Sequence, residues 1–153
     1  MISKKIKDVL KIICKKSSRE GIDWVLVGSA NSAIQGVDVT AHDIDILTDK
    51  KGAFLISKLL KDYEIKSVEY KKSEKYASYF GQFRIKGVNV EVMGELEIKR
   101  PKGVWYKKPL IKKIIKVDEI RVPVNPLEEE LAGYKASERV KKVGKIKEAL
   151  NIS

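Results

Sequence analysis

An alternation of acidic and apolar residues at positions 43 to 46 is the feature that most constrains this 153-residue chain. The segment reads Asp43-Ile44-Asp45-Ile46. Successive side chains of a strand point to opposite faces, so both aspartates project from one face and both isoleucines from the other. One face of the predicted strand therefore belongs to the core. The other carries two carboxylates a single pleat apart, which can share one or two Mg²⁺ ions.

A third carboxylate is predicted on a later strand, in the segment 88–92. The three valines of that segment alternate onto one face, so Glu91 shares the opposite face with Asn89 and Met93. Three oxygen donors would complete a divalent-metal site. The alternative is that the three acidic residues are solvated side chains on the polar face of an antiparallel sheet.

A small turn precedes the acidic strand. Gly28-Ser29 follows the short apolar run 24–27, which predicts a buried strand, and precedes residues 30–35, which predict a short helix. Without a bulky side chain at position 28, backbone N–H groups can approach phosphate oxygens near the positive end of the helix dipole. The Ser29 hydroxyl is either a further phosphate donor or a helix N-cap that serves only the backbone.

These residues resemble the signature of the nucleotidyltransferase superfamily, which has the polymerase-beta-like fold. The signature is an apolar residue, Gly, then Gly or Ser, a spacer, and Asp-x-Asp or Asp-x-Glu. Val27-Gly28-Ser29 and Asp43-Ile44-Asp45 match it. The short chain is similar to the minimal members of the superfamily, of antibiotic and antitoxin type, rather than to a polymerase.

The resemblance implies a fold and a set of site residues. The fold is α/β (α+β), with a mixed, mainly antiparallel sheet flanked by helices and with helices at the C-terminus. Asp43 and Asp45 would be the catalytic metal ligands and Glu91 the third carboxylate, acting as ligand or general base. Gly28 and Ser29 would contact the phosphates of the nucleotide.

The activity implied by the resemblance is transfer of a nucleoside monophosphate from an NTP to an acceptor hydroxyl, with release of pyrophosphate. Mg²⁺ is the expected cofactor and Mn²⁺ the alternative to it. The acceptor is left open between a small molecule such as an antibiotic, an RNA and a protein. A second interpretation is an inactive or weakly active module on the same fold that binds RNA or a partner toxin through its basic surface.

Composition agrees with these interpretations. The chain has 32 Lys and Arg against 21 Asp and Glu, a formal charge of +11, which favours polyanionic partners such as nucleotides or RNA. Glutamine occurs only twice while Lys, Glu and Ile are abundant, the bias of a heat-adapted protein. Residues 1–153 are expected to form one domain. Cys14 is the single cysteine, and with neither a signal-peptide core nor a membrane-spanning run in the sequence, we expect a cytoplasmic protein.

Apolar periodicity predicts the helices around the site. An amphipathic helix begins the chain, and a second is expected at about 51 to 62. The core of the domain is expected at about 22–93, and a helical part at about 125–150. That part is predicted to begin with Asn125 as N-cap, Pro126 in the first turn and Glu128 completing a capping box.

A two-residue hairpin loop is predicted at Lys86-Gly87. This register places Gln82 opposite Glu91, and Arg84 opposite Asn89. Arg84 is therefore expected on the active-site face, where it either contacts the nucleotide triphosphate or pairs with Glu91.

Two further basic features have alternative interpretations. By resemblance, Lys135 corresponds to a lysine that approaches the triphosphate, and otherwise it is one of many exposed lysines. The segment 99–116 interleaves basic and aromatic residues, which indicates either single-stranded RNA binding or an edge strand with protective lysines.

Overall fold

A computed structural model describes residues 2–153. Across these residues the chain forms five α-helices and eight strands, with a short 3-10 helix at Lys61–Tyr63. In chain order they are α1 (Lys4–Ser18), β1 (Trp24–Val27), α2 (Gly28–Ile34), β2 (Ile44–Thr48), α3 (Lys50–Leu59), β3 (Glu64–Lys72), β4 (Tyr76–Ile85), β5 (Val88–Lys99), β6 (Trp105–Lys107), β7 (Lys113–Val117), β8 (Ile120–Val124), α4 (Leu127–Ala136) and α5 (Val140–Leu150).

All eight strands belong to one mixed sheet. Its order is β3-β4-β5-β2-β1-β8-β7, and β6 pairs with the outer part of β5. The pairs β2–β5 and β1–β8 are parallel, and the other pairs are antiparallel. The predicted mixed, mainly antiparallel sheet flanked by helices is confirmed.

One face of the sheet carries the main core, covered by α1 and α3. Ile44 and Ile46 are fully buried there beside Val90 and Val92. The period-two prediction for the acidic strand is therefore confirmed on its apolar side. The amphipathic α1 is confirmed as well, and its buried stripe consists of Ile6, Val9, Leu10 and Ile13.

The C-terminal helices form a second, smaller core. Leu127, Leu131 and Tyr134 of α4 pack with Ile146 of α5 and with Val37, which follows α2. The C-terminal helical part is confirmed as two helices, but its predicted capping box is wrong.

Pro126 occupies the N-cap position of α4, without a side-chain capping bond. The Asn125 side chain instead turns inward and donates to Glu130. A buried tertiary partner has displaced the local capping bond that the sequence predicts.

The β4–β5 hairpin has the predicted register. Gln82 lies opposite Glu91 and Arg84 opposite Asn89. Lys86 and Gly87 form the turn with φ angles of 50° and 79°, the left-handed conformation that a two-residue hairpin loop requires.

The basic segment 99–116 is divided between two strands and a connection. Trp105 and Tyr106 lie on β6, where the Lys72 ammonium and the Arg100 guanidinium cover their rings at 5.1 and 4.6 Å from the centroids. β7 is an edge strand on which Lys113 and Lys116 are exposed. The exposed lysines on this edge of the sheet favour the edge-strand interpretation. Within residues 2–153 no helix is long and apolar enough to span a membrane.

Candidate active site

The three predicted carboxylates line one cleft on the sheet face opposite the main core. Asp45 lies on β2 between two partner strands, opposite Val27 of β1 and Glu91 of β5. Asp43 is exposed and directly precedes β2. The cleft has a volume of about 460 Å³. Two neighbouring strands therefore bring together residues that are far apart in the sequence.

Gly28 makes this close arrangement possible. Its φ of +76° lies in the left-handed region, and a Cβ atom at this position would overlap Asp45 Oδ2. The Gly28 amide donates to Glu130 Oε1 at 3.1 Å, so it is already engaged within the protein. The role of Gly28 in this geometry is to leave room for the Asp45 carboxylate. Ser29 lines the cleft beside it.

Glu130 stabilises the turn between β1 and α2 from the protein interior. Its side chain is 4% exposed, and Oε1 accepts from the Gly28 amide, from Asn31 Nδ2 at 2.9 Å and from Asn125 Nδ2 at 3.1 Å. Burial raises the pKa of this carboxyl group, while the Asn31 and Asn125 hydrogen bonds oppose the rise. α4 is thereby connected to the turn between β1 and α2.

The sequence contains a signal for Glu130 that the helix-capping interpretation overlooks. Glu130 follows Leu127 by three residues and precedes Tyr134 by four, so it lies on the apolar stripe of α4. A carboxylate on the buried stripe of a helix needs hydrogen-bond partners in the interior. Glu130 rather than Glu128 was therefore the residue of that helix to single out.

Asp45 has a strongly raised pKa. Burial, followed by repulsion from Glu91, Asp43 and Glu130, raises the pKa of Asp45 to about 7. Glu91 is held by its neighbours, because Gln82 Nε2 donates to Asn89 Oδ1 at 2.6 Å and Asn89 Nδ2 donates to Glu91 Oε2 at 3.5 Å. The site therefore concentrates negative charge that a cation would relieve.

The chemistry of these donors fits a hard divalent cation. Carboxylate oxygens are the preferred ligands of Mg²⁺, and like-charge repulsion around Asp45 is the condition that a cation removes. Within residues 2–153, however, the acidic, His and Cys side chains form no group of three or more that could hold a metal ion as they stand. Metal binding by Asp43, Asp45 and Glu91 stays a prediction.

Basic side chains line other parts of the cleft wall. Arg139 directly precedes α5, and Lys142 lies in α5. Burial lowers the pKa of Lys142, and the nearby charges of Asp45 and Glu130 oppose this fall. Lys108 is buried, donates to the Glu129 carbonyl oxygen, and also lines the cleft. The sequence interpretation did not single out Arg139 or Lys142, because the contribution of each depends on how α5 packs.

Arg84 and Lys135 are not brought to the cleft. Both are exposed, and neither is among the residues that line it. Arg84 has the predicted register but lies beyond Gln82 toward the hairpin turn. Lys135 follows the inward-facing Tyr134, so the next helical position turns outward.

The comparisons with known proteins agree with this fold. A family profile for aminoglycoside-2''-adenylyltransferases matches residues 9–148. A candidate nucleotidyltransferase from Thermotoga maritima is 33% identical, with a TM-score of 0.83 over 99% of this chain and 96% of that one. No curated protein matches the sequence.

Two solved antibiotic adenylyltransferases share the fold at low identity. The lincosamide enzyme LnuA, solved with lincomycin, is 14% identical with a TM-score of 0.57 over 97% of this chain and 98% of that one. ANT(2'')-Ia, solved with adenylyl-2''-tobramycin, is 10% identical with a TM-score of 0.59 over 94% of this chain and 88% of that one.

The fold and the sequence matches define a protein of the nucleotidyltransferase superfamily. Within it, the chain belongs to the aminoglycoside-2''-adenylyltransferase family.

We predict that Gly28→Ala destabilises the protein, because the added methyl group overlaps Asp45 Oδ2 and the backbone is left-handed. Strain of this kind costs about 1–3 kcal/mol in the free energy of unfolding, measured by urea denaturation. Gly36→Ala is the matched control: Gly36 has a φ of +93° but open space around its Cβ position.

The control isolates the backbone contribution from the contact with Asp45. Gly28→Ala should cost more than Gly36→Ala, and combination with Asp45→Ala should remove the excess. Equal losses in the two single variants would show that the contact with Asp45 is unimportant.

A second prediction concerns the pH dependence of stability without metal. The folded chain holds the Asp45 proton more tightly than the unfolded chain, because the pKa rises from 3.8 to about 7 on folding. The resulting stabilisation is complete below pH 3.8 and is lost as the pH rises to about 7. In EDTA, Asp45→Asn should therefore become the more stable protein relative to wild type over this range.

Urea denaturation across that pH range measures the difference. Asp62→Asn, which alters an exposed aspartate away from the cleft, should follow the wild-type profile. A constant difference between wild type and Asp45→Asn at all pH values would contradict the raised pKa.

Proposed function

We propose that this protein is a metal-dependent nucleotidyltransferase that moves a nucleoside monophosphate from an NTP to an acceptor hydroxyl. The observation that carries the proposal is the presence of Asp43, Asp45 and Glu91 in one cleft with Ser29 and the basic side chains of Arg139 and Lys142. Such a cleft offers carboxylate oxygens that can bind a metal ion and basic side chains that can bind phosphates. The adenylylated product bound by ANT(2'')-Ia, a protein of the same fold, supports AMP as the transferred group.

In the proposed reaction the acceptor oxygen attacks the α-phosphorus of the NTP. A bond forms between these atoms as the bond from the α-phosphorus to the bridging oxygen of pyrophosphate breaks, and pyrophosphate leaves with the electron pair. Glu91, oriented by Asn89, receives the proton of the acceptor hydroxyl. When bound, a divalent ion held by Asp43 and Asp45 with Glu91 supplies positive charge to the triphosphate.

The chain's own residues have separate tasks around the triphosphate. Ser29 is available as a hydroxyl donor at the start of α2. Lys142 and Arg139 supply compensating positive charge from the connection before α5 and its first turn. Glu130, which also lines the cleft, positions the turn through the Gly28 amide. Positioning and charge neutralisation then provide the catalysis.

The alternative, a non-catalytic module that binds RNA or a toxin, has a physical difficulty. Burial of Asp45, together with repulsion from Glu91 and Asp43, raises the pKa of Asp45, which opposes its ionisation at neutral pH. A docking module would gain nothing from this repulsion. In metal-dependent transfer, a bound divalent cation would offset this repulsion.

We expect label from an α-³²P-labelled NTP to pass to an acceptor in the presence of Mg²⁺, with pyrophosphate released. Candidate acceptors are small hydroxylated molecules, RNA and protein. Asp43→Asn and Asp45→Asn should each lower the rate by about 100-fold or more, because they remove proposed metal ligands. Transfer that survives Asp43→Asn would contradict the role of that residue. Binding of RNA or protein that does not depend on Mg²⁺, without any transfer of label, would favour the non-catalytic docking module.

The phosphate-binding role of Lys142 gives a separate prediction. Lys142→Gln should weaken binding of a non-hydrolysable ATP analogue with Mg²⁺ by about 10-fold or more, the effect of losing a charge-assisted hydrogen bond. Lys141→Gln is the matched control on the exposed side of the same helix, and Lys135→Gln tests the residue that the sequence predicts.

Isothermal titration calorimetry measures all three variants. Binding by Lys141→Gln and Lys135→Gln should stay within about twofold of wild type, which corresponds to less than about 0.5 kcal/mol. A large loss in Lys135→Gln, with none in Lys142→Gln, would assign the triphosphate contact to Lys135 instead of Lys142.

A further inference from the structure

A second cavity adjoins the cleft at the β3–β4 end of the sheet. It has a volume of about 480 Å³, and we call it the lysine pocket. Its lining residues are Lys71, Lys72, Ser73, Tyr76, Ser78 and Phe80. Tyr76, Ser78 and Phe80 also line the cleft, so the two cavities open side by side.

The lysine pocket begins close to the proposed general base. On β4, Phe80 lies opposite Met93 and Gln82 lies opposite Glu91. Phe80 is thus one pleat from the Glu91 position, roughly 7 Å along the strand. A molecule in the lysine pocket can place a hydroxyl near Glu91 while its body lies along Phe80 and Tyr76. The basic residues proposed for the triphosphate come from a different element, α5 and the connection before it.

The charge of the lysine pocket is positive. The ammonium groups of Lys71 and Lys72 lie 5.5 and 5.1 Å from the ring centroids of Phe80 and Trp105. In the part of the chain that the structure describes, neither lysine forms an ion pair and no carboxylate lines the pocket. Glu69 and Glu74 belong to the same hairpin but are exposed and lie outside the lining.

The charges of the lysine pocket disfavour one acceptor chemistry and favour another. An aminoglycoside carries several ammonium groups, which would face Lys71 and Lys72 without a carboxylate to bind them. An anionic group would gain two cations, and an aromatic or apolar body would pack on Tyr76 and Phe80.

We propose that the lysine pocket is the acceptor subsite and that the acceptor is a small hydroxylated molecule with a phosphate or carboxylate beside an aromatic or apolar body. This inference rests on the proposed function and assigns the acceptor class for the same transfer. The acceptor oxygen bonds to the α-phosphorus, pyrophosphate leaves with the electron pair, and the acceptor proton passes to Glu91. The proposed acceptor then differs in charge from the aminoglycosides after which the family is named.

Calorimetric titration of the full-length protein, loaded with Mg²⁺ and α,β-methylene-ATP, tests the proposal. The probes are 4-nitrophenyl phosphate and 4-nitrobenzoate as aromatic anions, 4-nitrobenzyl alcohol as the neutral ring, and tobramycin as the polycation. At least one anion should bind at least about tenfold more tightly than the alcohol. The stronger anion identifies which acidic group the pocket prefers.

Lys71→Gln/Lys72→Gln should weaken anion binding by about tenfold or more and leave tobramycin binding absent or improved. Lys113→Gln/Lys116→Gln is the matched control, because it removes the same charge from two exposed lysines on β7, at the other end of the sheet. Anion binding by the control should stay within about twofold of wild type.

Three results would overturn the proposal. The first is tobramycin binding more tightly than both anions to the wild-type protein. The second is equal anion binding by wild type and Lys71→Gln/Lys72→Gln. The third is weaker binding of α,β-methylene-ATP by that variant, which would assign the lysine pocket to the donor nucleotide and leave the proposed function intact. Failure of wild type to bind the analogue with Mg²⁺ would instead overturn the proposed function, and the acceptor assignment with it.

Discussion

The close approach of Asp45 to the Gly28 turn is the constraint on which the site depends. Asp45 occupies the middle of a three-strand arrangement, and the missing side chain at position 28 leaves room for its carboxylate. The repulsion among Asp45, Asp43 and Glu91 is maintained by the rigid sheet, whose other face buries Ile44 and Ile46 in the main core. The apolar face of β2 thus contributes to stability, and the like-charge repulsion lies on its other face.

The features that were predictable from the sequence depend on short-range geometry. Alternation on β2 and β5 and the two-residue turn at Lys86-Gly87 follow from local periods and turn chemistry, and the structure confirms them. The predicted capping box of α4 was wrong because the Asn125 side chain donates to the buried Glu130 carboxylate and does not cap the helix. Lys142 was missed because its approach to Asp45 requires the packing of α5 against α4, which no local pattern determines.

The charged groups of the cleft come from different elements of the fold. Asp43, Asp45 and Glu91 lie on the β2–β5 wall, and Glu130 lines the cleft from α4. The basic groups proposed for the triphosphate come from the C-terminal region, and the lysine pocket lies at the outer end of β4. This arrangement fits the proposal of two anionic substrates that approach an acidic centre from different directions. Membership of the family supports the proposed reaction type, while the lysine pocket lacks the carboxylates that would bind a polycationic acceptor.

Glu130 has a consequence for how the chain can be divided. The whole signature lies before residue 93, yet the carboxylate that receives the Gly28, Asn31 and Asn125 donors belongs to α4. A fragment ending at β5 would keep every motif residue and lose the support beneath the glycine turn, leaving the Gly28 and Asn31 donors without their carboxylate partner. The recognisable part of such a protein is therefore not a self-sufficient unit, and a search for the motif alone would overstate what a shortened relative can do.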